Sequence, residues 1–188
     1  MHKFRYIEVF DPEMLKRVFA FRYEVLLEKF PQYIENANLK DGLELDKYDS
    51  YAVQFVALDE NDNIAATVRL IHNSPIGYPT ENNAVLDSSM FERDKLGEFS
   101  RIFIAKEYRK IKISKIIMKG LMPIGYDKVK ELGIDYLYGS LEPNFLKLLQ
   151  IYTINYQAIA PLQEVKFLGT RYPCILYTNE FERRFNEE

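Results

Sequence analysis

Glu98, Ser100 and Arg101 open a run that is otherwise apolar, Gly97 to Ala105, and such side chains are costly to bury unless they are paired or used. Strand alternation places Phe99, Arg101, Phe103 and Ala105 on one face and Glu98, Ser100, Ile102 and Ile104 on the other. Both faces are largely apolar, so a central strand is expected. Four further charges interrupt or lead into apolar segments: Arg22, Asp46, Asp49 and Arg69. These types point to two kinds of chemistry. A carboxyl such as Glu98, raised in pKa by a strand setting, suits general-base work. The arginines Arg22, Arg69 and Arg101 would either pair with Asp46 and Asp49 or grip a substrate carboxylate with two parallel hydrogen bonds. A purely structural ion-pair network is the competing reading.

The elements that must position these residues follow from periodicity. Lys3 to Phe10 alternates as a first strand, and Asp11-Pro12 supplies an N-cap with proline at the first helical position. The following stripe, Leu15, Val18, Phe19, position 22, Val25 and Leu26, has helical spacing, so Arg22 points inward, either to snorkel or to act. Phe30-Pro31 ends that helix, and Gln32 to Lys40 reads as a loop with at most a helical turn. Asp41 to Asp49 carries four acids in nine residues and, taken alone, reads as a solvated turn. Tyr51 to Leu58 and Ile64 to His72 form a hairpin across Asp59 to Asn63, with Arg69 beside Ala65, Thr67 and Ile71. A short helix is expected within Glu81 to Lys95. A long one from Ile113 to Leu132 has Ile113, Ile116, Ile117, Leu121, Ile124 and Leu132 on its inner face, a kink at Pro123 and a stop at Gly133. Ile134 to Tyr138 then lies parallel to the central strand. Glu142-Pro143 starts a helix through Gln150, and strands at Ile154 to Ile159 and Tyr172 to Thr178 close the sheet.

With 188 residues, one domain with one core is expected. Net charge of -3 disfavours a general nucleic-acid binder. One cysteine, Cys174, excludes an internal disulfide, and two histidines make a histidine-based metal site improbable, so no metal is expected. No stretch is long and apolar enough to span a bilayer, and the N-terminus has no signal-peptide pattern; a cytoplasmic location is expected.

The order of elements resembles the α/β GNAT acyltransferase fold, a mixed central sheet with a splayed parallel strand pair flanked by helices. The set Arg22, Asp46, Asp49, Arg69, Glu98, Ser100 and Arg101 resembles the signature of the acyl-homoserine-lactone synthases. It is similar also to that of the long-chain N-acyl amino acid synthases and of the exosortase-associated acyltransferases; the latter share the Gly42-Leu43-Glu44-x-Asp46-x-Tyr48-Asp49 run, the Glu98-x-Ser100-Arg101 strand and the late Glu142-Pro143 step. The resemblance implies transfer of an acyl group from a thioester to an amine. In that reading Glu98 is the base and Ser100 orients it or the acceptor. Backbone N–H groups near Ile102, Phe103 and Ile104 meet the oxyanion, and Arg22, Asp46, Asp49, Arg69 and Arg101 bind substrate or fix the acidic loop.

Two departures narrow the choice. Leu26 stands where the homoserine-lactone synthases carry an aromatic, and the chain has no tryptophan, which disfavours the S-adenosylmethionine pocket and favours an amino acid or another small amine as acceptor. Arg109-Lys110-Ile111-Lys112-Ile113-Ser114 stands where acetyl-CoA enzymes have a glycine-bearing pyrophosphate loop. Both glycines are missing. Acyl-phosphopantetheine on acyl-carrier protein needs no such loop and is the expected donor, with acyl-CoA less favoured and no cofactor bound permanently. Lys106, Arg109, Lys110, Lys112 and Lys115, with Lys119 beyond, form a basic patch suited to an acidic carrier protein, or to solubility alone. Three alternatives stay open: a homoserine-lactone synthase, a non-catalytic acyl or carrier-protein sensor, and an ordinary acetyltransferase.

Overall fold

The computed structural model describes residues 3–37, 39 and 41–179. The chain forms two compact units, one of Met1–Leu70 with Arg101–Lys128 and one of Ile71–Ser100 with Val129–Glu188. Two strands and one helix run from one unit into the other.

In the first unit, strand β1 (Arg5–Val9) pairs antiparallel with β2 (Ala52–Leu58), in register from Arg5↔Leu58 to Val9↔Gln54. Helix α1 (Pro12–Lys29) begins as expected, with Asp11 accepting a hydrogen bond from the Met14 N–H at 2.8 Å and Pro12 in the first turn. Its inner stripe buries Val18, Arg22, Val25 and Leu26. Val18 joins Val9, Val56, Leu58 and Ile64 in a core covered by Ile7, Met14, Leu15, Phe19 and Phe21. Burial of each such aliphatic stabilises the fold by roughly 1.5–3 kcal/mol before chain entropy is counted. After Phe30 caps α1, the expected loop is instead a second helix, α2 (Pro31–Ala37). Pro31 occupies its first turn, the one place in a helix where a missing N–H costs nothing. Strand β3 (Ile64–His72) follows β2 after a turn closed by the Asp59 N–H donating to the Asn63 carbonyl at 2.9 Å, with Asp62 left-handed at φ 62°.

The central strand β4 (Leu96–Ile104) lies fourth in the sheet order β1-β2-β3-β4-β5-β8-β6. Its first half belongs to the second unit, where Leu96, Gly97 and Glu98 pair in parallel with Tyr136, Leu137 and Tyr138 of β5 (Tyr136–Leu141). The parallel register ends at that third pair, while β5 continues antiparallel to β8 (Gly169–Tyr177) as far as Leu141↔Tyr172. Regular alternation along β4 fails at Arg101, whose φ of 50° is left-handed. That is a bulge geometry, and it invalidates the assignment of faces by counting beyond Ser100. Past it, the Ala105 N–H donates to the Ala65 carbonyl at 2.8 Å within the first unit.

The expected helix within Glu81 to Lys95 lies earlier, as α3 (Pro79–Asn83), followed only by single 3-10 turns at Ser88–Met90 and Arg93–Lys95. Helix α4 (Ile111–Glu131) runs through Pro123, and Gly133 follows it at φ 65° as expected of a helix stop. Its inner face differs from expectation. Ile116 is 42% exposed, while Ser114, Ile117, Met118, Leu121 and Val129 are buried. Gly120 faces the Tyr6 ring, where an added Cβ would stand 2.0 Å from Cζ, and the Tyr6 hydroxyl donates to the Ile116 carbonyl at 3.1 Å. Helix α5 (Pro143–Ile151) starts at Glu142-Pro143 as expected. The expected strand at Ile154 to Ile159 is reduced to β6 (Gln157–Ala158), which pairs with β8, and a further short strand, β7 (Gln163–Val165), also pairs with β8. Among the described residues no helix is long and apolar enough to cross a membrane.

Candidate active site

In the first unit, the phase of α1 delivers Arg22 into the interior with its side chain fully buried. Snorkelling is thereby ruled out. Arg22 Nη1 and Nη2 donate to the two carboxylate oxygens of Asp49 at 2.7 and 3.0 Å, and Nε donates to Glu44 Oε2 at 2.5 Å. Arg69 from β3 meets Asp46 in the same forked manner, at 2.7 and 3.1 Å, and lies 3.1 Å from Asp49. Arg101, turned by the bulge of β4, donates from Nη2 to Glu44 Oε1 at 2.6 Å, to Asp46 Oδ2 at 2.9 Å and to the Tyr33 hydroxyl at 2.8 Å. Three guanidinium groups thus alternate with three carboxylates. The acid run Asp41 to Asp49 is no solvated turn: Glu44 is fully buried, and the backbone folds around its own acids, with the Asp46 N–H donating to Asp49 at 2.8 Å and the Tyr48 N–H to Asp46 at 2.9 Å. Of the six charged side chains, Asp46 and Arg101 are the most open to solvent, at 19% and 14% side-chain exposure.

The electrostatics close on themselves. Burial alone pushes the Glu44 carboxyl upward, but Arg101 and Arg22 outweigh it and hold the group below its ordinary range. Asp49 is likewise pushed up by burial and held far down by its hydrogen bond from Arg22 and the charges of Arg69 and Arg22. Of the two roles expected for Arg22, Arg69 and Arg101, pairing with acids is the one present in the geometry. Glu44 and Tyr33 complete the network, and neither was among the expected site residues.

In the second unit, Glu98 is 2% exposed on β4, and its Oε2 accepts from the Thr80 N–H at 2.9 Å in the first turn of α3. A fixed donor orients this carboxyl. Glu98 stands in parallel register with Tyr138, so both side chains leave the same face of the sheet at neighbouring positions. The Tyr138 ring meets Tyr78 edge-on at 6.1 Å and Phe91 at 5.7 Å. Burial, followed by the charge of Glu81, pushes the Tyr138 phenol up to about 12. Burial and then Glu98 push Tyr156 further still. Both remain neutral hydroxyls at physiological pH. Ser100 is half-buried two residues beyond Glu98, and Ile102, Phe103 and Ile104 are half-buried past the bulge.

The basic segment is only partly uncommitted. Lys106 and Arg109 both reach Glu28, at 3.3 and 2.9 Å, and Arg109 Nε donates to the Ile104 carbonyl at 2.9 Å. These two residues tie the end of β4 to α1. Lys110, Lys112 and Lys115 are exposed around the start of α4, beside Ile111, which is 71% exposed. Among the described residues no cluster of histidine, cysteine or acid side chains is disposed to hold a metal ion.

No curated protein matches the sequence. Solved structures do match it. A CoA-dependent acyl-homoserine lactone synthase, BjaI, superposes at a TM-score of 0.74 with 17% identity over 100% of this chain and 89% of its own. The homoserine-lactone synthase LasI gives 0.68 with 14% identity over 95% and 91%. FeeM, an N-acyl amino acid synthase from uncultured soil microbes, gives 0.66 with 16% identity over 98% and 96%. At these identities the likeness establishes a shared fold. The model of the acetyltransferase (GNAT) domain family matches residues 21–119, more than half of the chain, and the protein therefore belongs to that family of acyltransferases.

Proposed function

We propose that the protein moves a long acyl group from acyl-carrier protein to the amine of an amino acid or a related small molecule. The observation that carries this reading is Glu98, a buried carboxyl held by the Thr80 N–H on the central strand where the parallel register with β5 ends. A neutral amine attacks the thioester carbon, the C–N bond forms, the C–S bond breaks, and the amine proton passes through Glu98 to the departing sulfur. A backbone N–H of β4, among Ile102, Phe103 and Ile104, meets the oxyanion. Ser100 orients the acceptor or Glu98. The arginine–carboxylate network of the first unit holds the 41–49 segment in place.

Likeness to structures named as homoserine-lactone and N-acyl amino acid synthases supports acyl transfer to an amine. Leu26, buried at 2% exposure, and the lack of tryptophan favour an amino acid over S-adenosylmethionine as acceptor. The donor is the open choice, because the first of these neighbours is CoA-dependent. Side chains of Lys112 and Ser114 in place of glycines favour phosphopantetheine on a carrier protein.

A free-thiol release assay tests the donor. Acyl-carrier-protein thioesters are expected to turn over and acetyl-CoA not to. Reversing Lys110, Lys112 and Lys115 to glutamate is expected to raise KM for the carrier-bound donor about tenfold or more, from roughly 0.5 kcal/mol or more per exposed pair. The effect shrinks at high salt, since such charges are screened over ~10 Å at ~0.1 M. Efficient turnover with acetyl-CoA alone contradicts the donor assignment, and an unchanged KM at low salt places docking elsewhere.

A further inference from the structure

Two buried hydroxyls beside Glu98 have no partner among the described residues: Thr80 Oγ1 and the Tyr138 OH. Thr80 is 1% exposed and Tyr138 fully buried. An unsatisfied buried hydroxyl is unfavourable, so two of them next to one carboxyl call for a reason. Several observations bring the three groups together within the second unit. The Thr80 N–H is bonded to Glu98, and Tyr138 is the in-register neighbour of Glu98 across the parallel pair. Tyr78, directly before α3, lies edge-on against the Tyr138 ring. Tyr78 is itself fixed: its hydroxyl donates to the Leu96 carbonyl at 2.5 Å, and its N–H is held by Glu81 at 2.9 Å. Glu81 is held in turn by Arg93 at 2.6 and 2.8 Å, so these polar groups are mutually satisfied. Ser74 Oγ, in the loop before Tyr78, is a third buried hydroxyl without a partner among the described residues, but of the three only those of Thr80 and Tyr138 belong to residues that bond to Glu98 or stand in register with it.

We infer that the hydroxyls of Tyr138 and Thr80 bind the acceptor amine, receiving the N–H that is not directed at Glu98. The inference rests on the proposed function and deepens it. A neutral primary amine carries two N–H groups and one lone pair. Directing one N–H to Glu98 and the other to a hydroxyl aims the lone pair in a single direction, toward the thioester carbon. The phenol of Tyr138, held neutral by burial, accepts without introducing a charge that would repel Glu98. Tyr138 and Thr80 are on this account acceptor-binding residues, and the proton itself leaves through Glu98.

Tyr138→Phe and Thr80→Val test the inference, because each removes a hydroxyl and keeps the shape. The probe is thiol release from dodecanoyl-pantetheine with a pool of the twenty proteinogenic amino acids and ethanolamine, followed by the single amine that turns over. Each variant is expected to raise KM for the amine and to lower kcat/KM for the amine at least tenfold, with kcat falling as the lone pair loses its aim and KM for the thioester staying within twofold. Melting temperature is expected to hold or rise, since an unsatisfied polar group has been removed. A purely structural role predicts a changed melting temperature with an unchanged amine KM, and that result overturns the inference. Glu98→Gln run in parallel separates the levels. If its single-turnover rate collapses while both hydroxyl variants keep the wild-type amine KM, the inference fails and the base assignment stands. If Glu98→Gln turns over as wild type, or wild-type release does not depend on added amine, the parent reading fails and takes the inference with it.

Discussion

Glu44→Gln is expected to lower the melting temperature by about 6–20 °C. Glu44 is fully buried between Arg22 and Arg101, and removing its charge leaves each guanidinium group one counter-ion short, Arg22 in a place water does not reach and Arg101 in one that is mostly closed. Breaking such a buried pair costs about 3–5 kcal/mol, and each kcal/mol shifts the midpoint of a domain this size by about 2–4 °C. The same network gives a pH signature. Glu44 and Asp49 have carboxyls held below their ordinary range in the folded protein. The stability they contribute is therefore fully present above the unfolded carboxyl value of about 4 and is lost as pH falls through their lower folded values. Wild-type stability should decline below about pH 4, and the Glu44→Gln variant should show a shallower decline. A variant melting within about 2 °C of wild type would mean that the network does not hold this segment.

Glu98→Gln is expected to cut the single-turnover rate by about 100-fold to 10,000-fold, the usual worth of a general base, or ~3–5 kcal/mol of barrier. Glutamine keeps the volume and an oxygen to accept from the Thr80 N–H, so the β4–α3 contact survives and the melting temperature stays close to wild type. What is lost is the ability to take a proton. A fallen melting temperature with an unchanged rate would assign Glu98 to structure alone. Measuring both quantities on one preparation decides between them.

Much of the first unit was legible because its signals are local. Asp11-Pro12 and the 3.6-residue stripe placed Arg22 inside, and the turn at Asp59 to Asn63 fixed the β2–β3 connection. Glu44 was hidden for a physical reason. An acid within an acid-rich segment looks solvated unless its counter-ions are known, and those come from α1 and β4, far away in sequence. Charge arithmetic was the available signal: three inward arginines need more than Asp46 and Asp49. Tyr33 lay in a stretch without period, and its role depends on Arg101, whose left-handed backbone no residue type announces. In α4, apolarity favoured Ile116 over Ser114, yet Ser114 is buried, with its hydroxyl bonded to the Ile111 carbonyl at 3.1 Å. The start of α3 did have a signature, Pro79 in the first turn with Glu81 reaching back to the Tyr78 N–H, but it falls in a segment dominated by turn residues. Glu98, Thr80 and Tyr138 show the other limit: the strand position of Glu98 could be read, whereas its neighbours come from α3 and β5 and meet only in the folded chain.

The central claim, acyl transfer to a small amine, is tested most directly by mass spectrometry of lipid extracts from cells overproducing the protein, with the Glu98→Gln variant as control. The account predicts new long-chain N-acyl amides, their head group an amino acid or related amine, present with wild type and strongly reduced with the variant. No new amide with wild type, or equal amounts with both proteins, would contradict it.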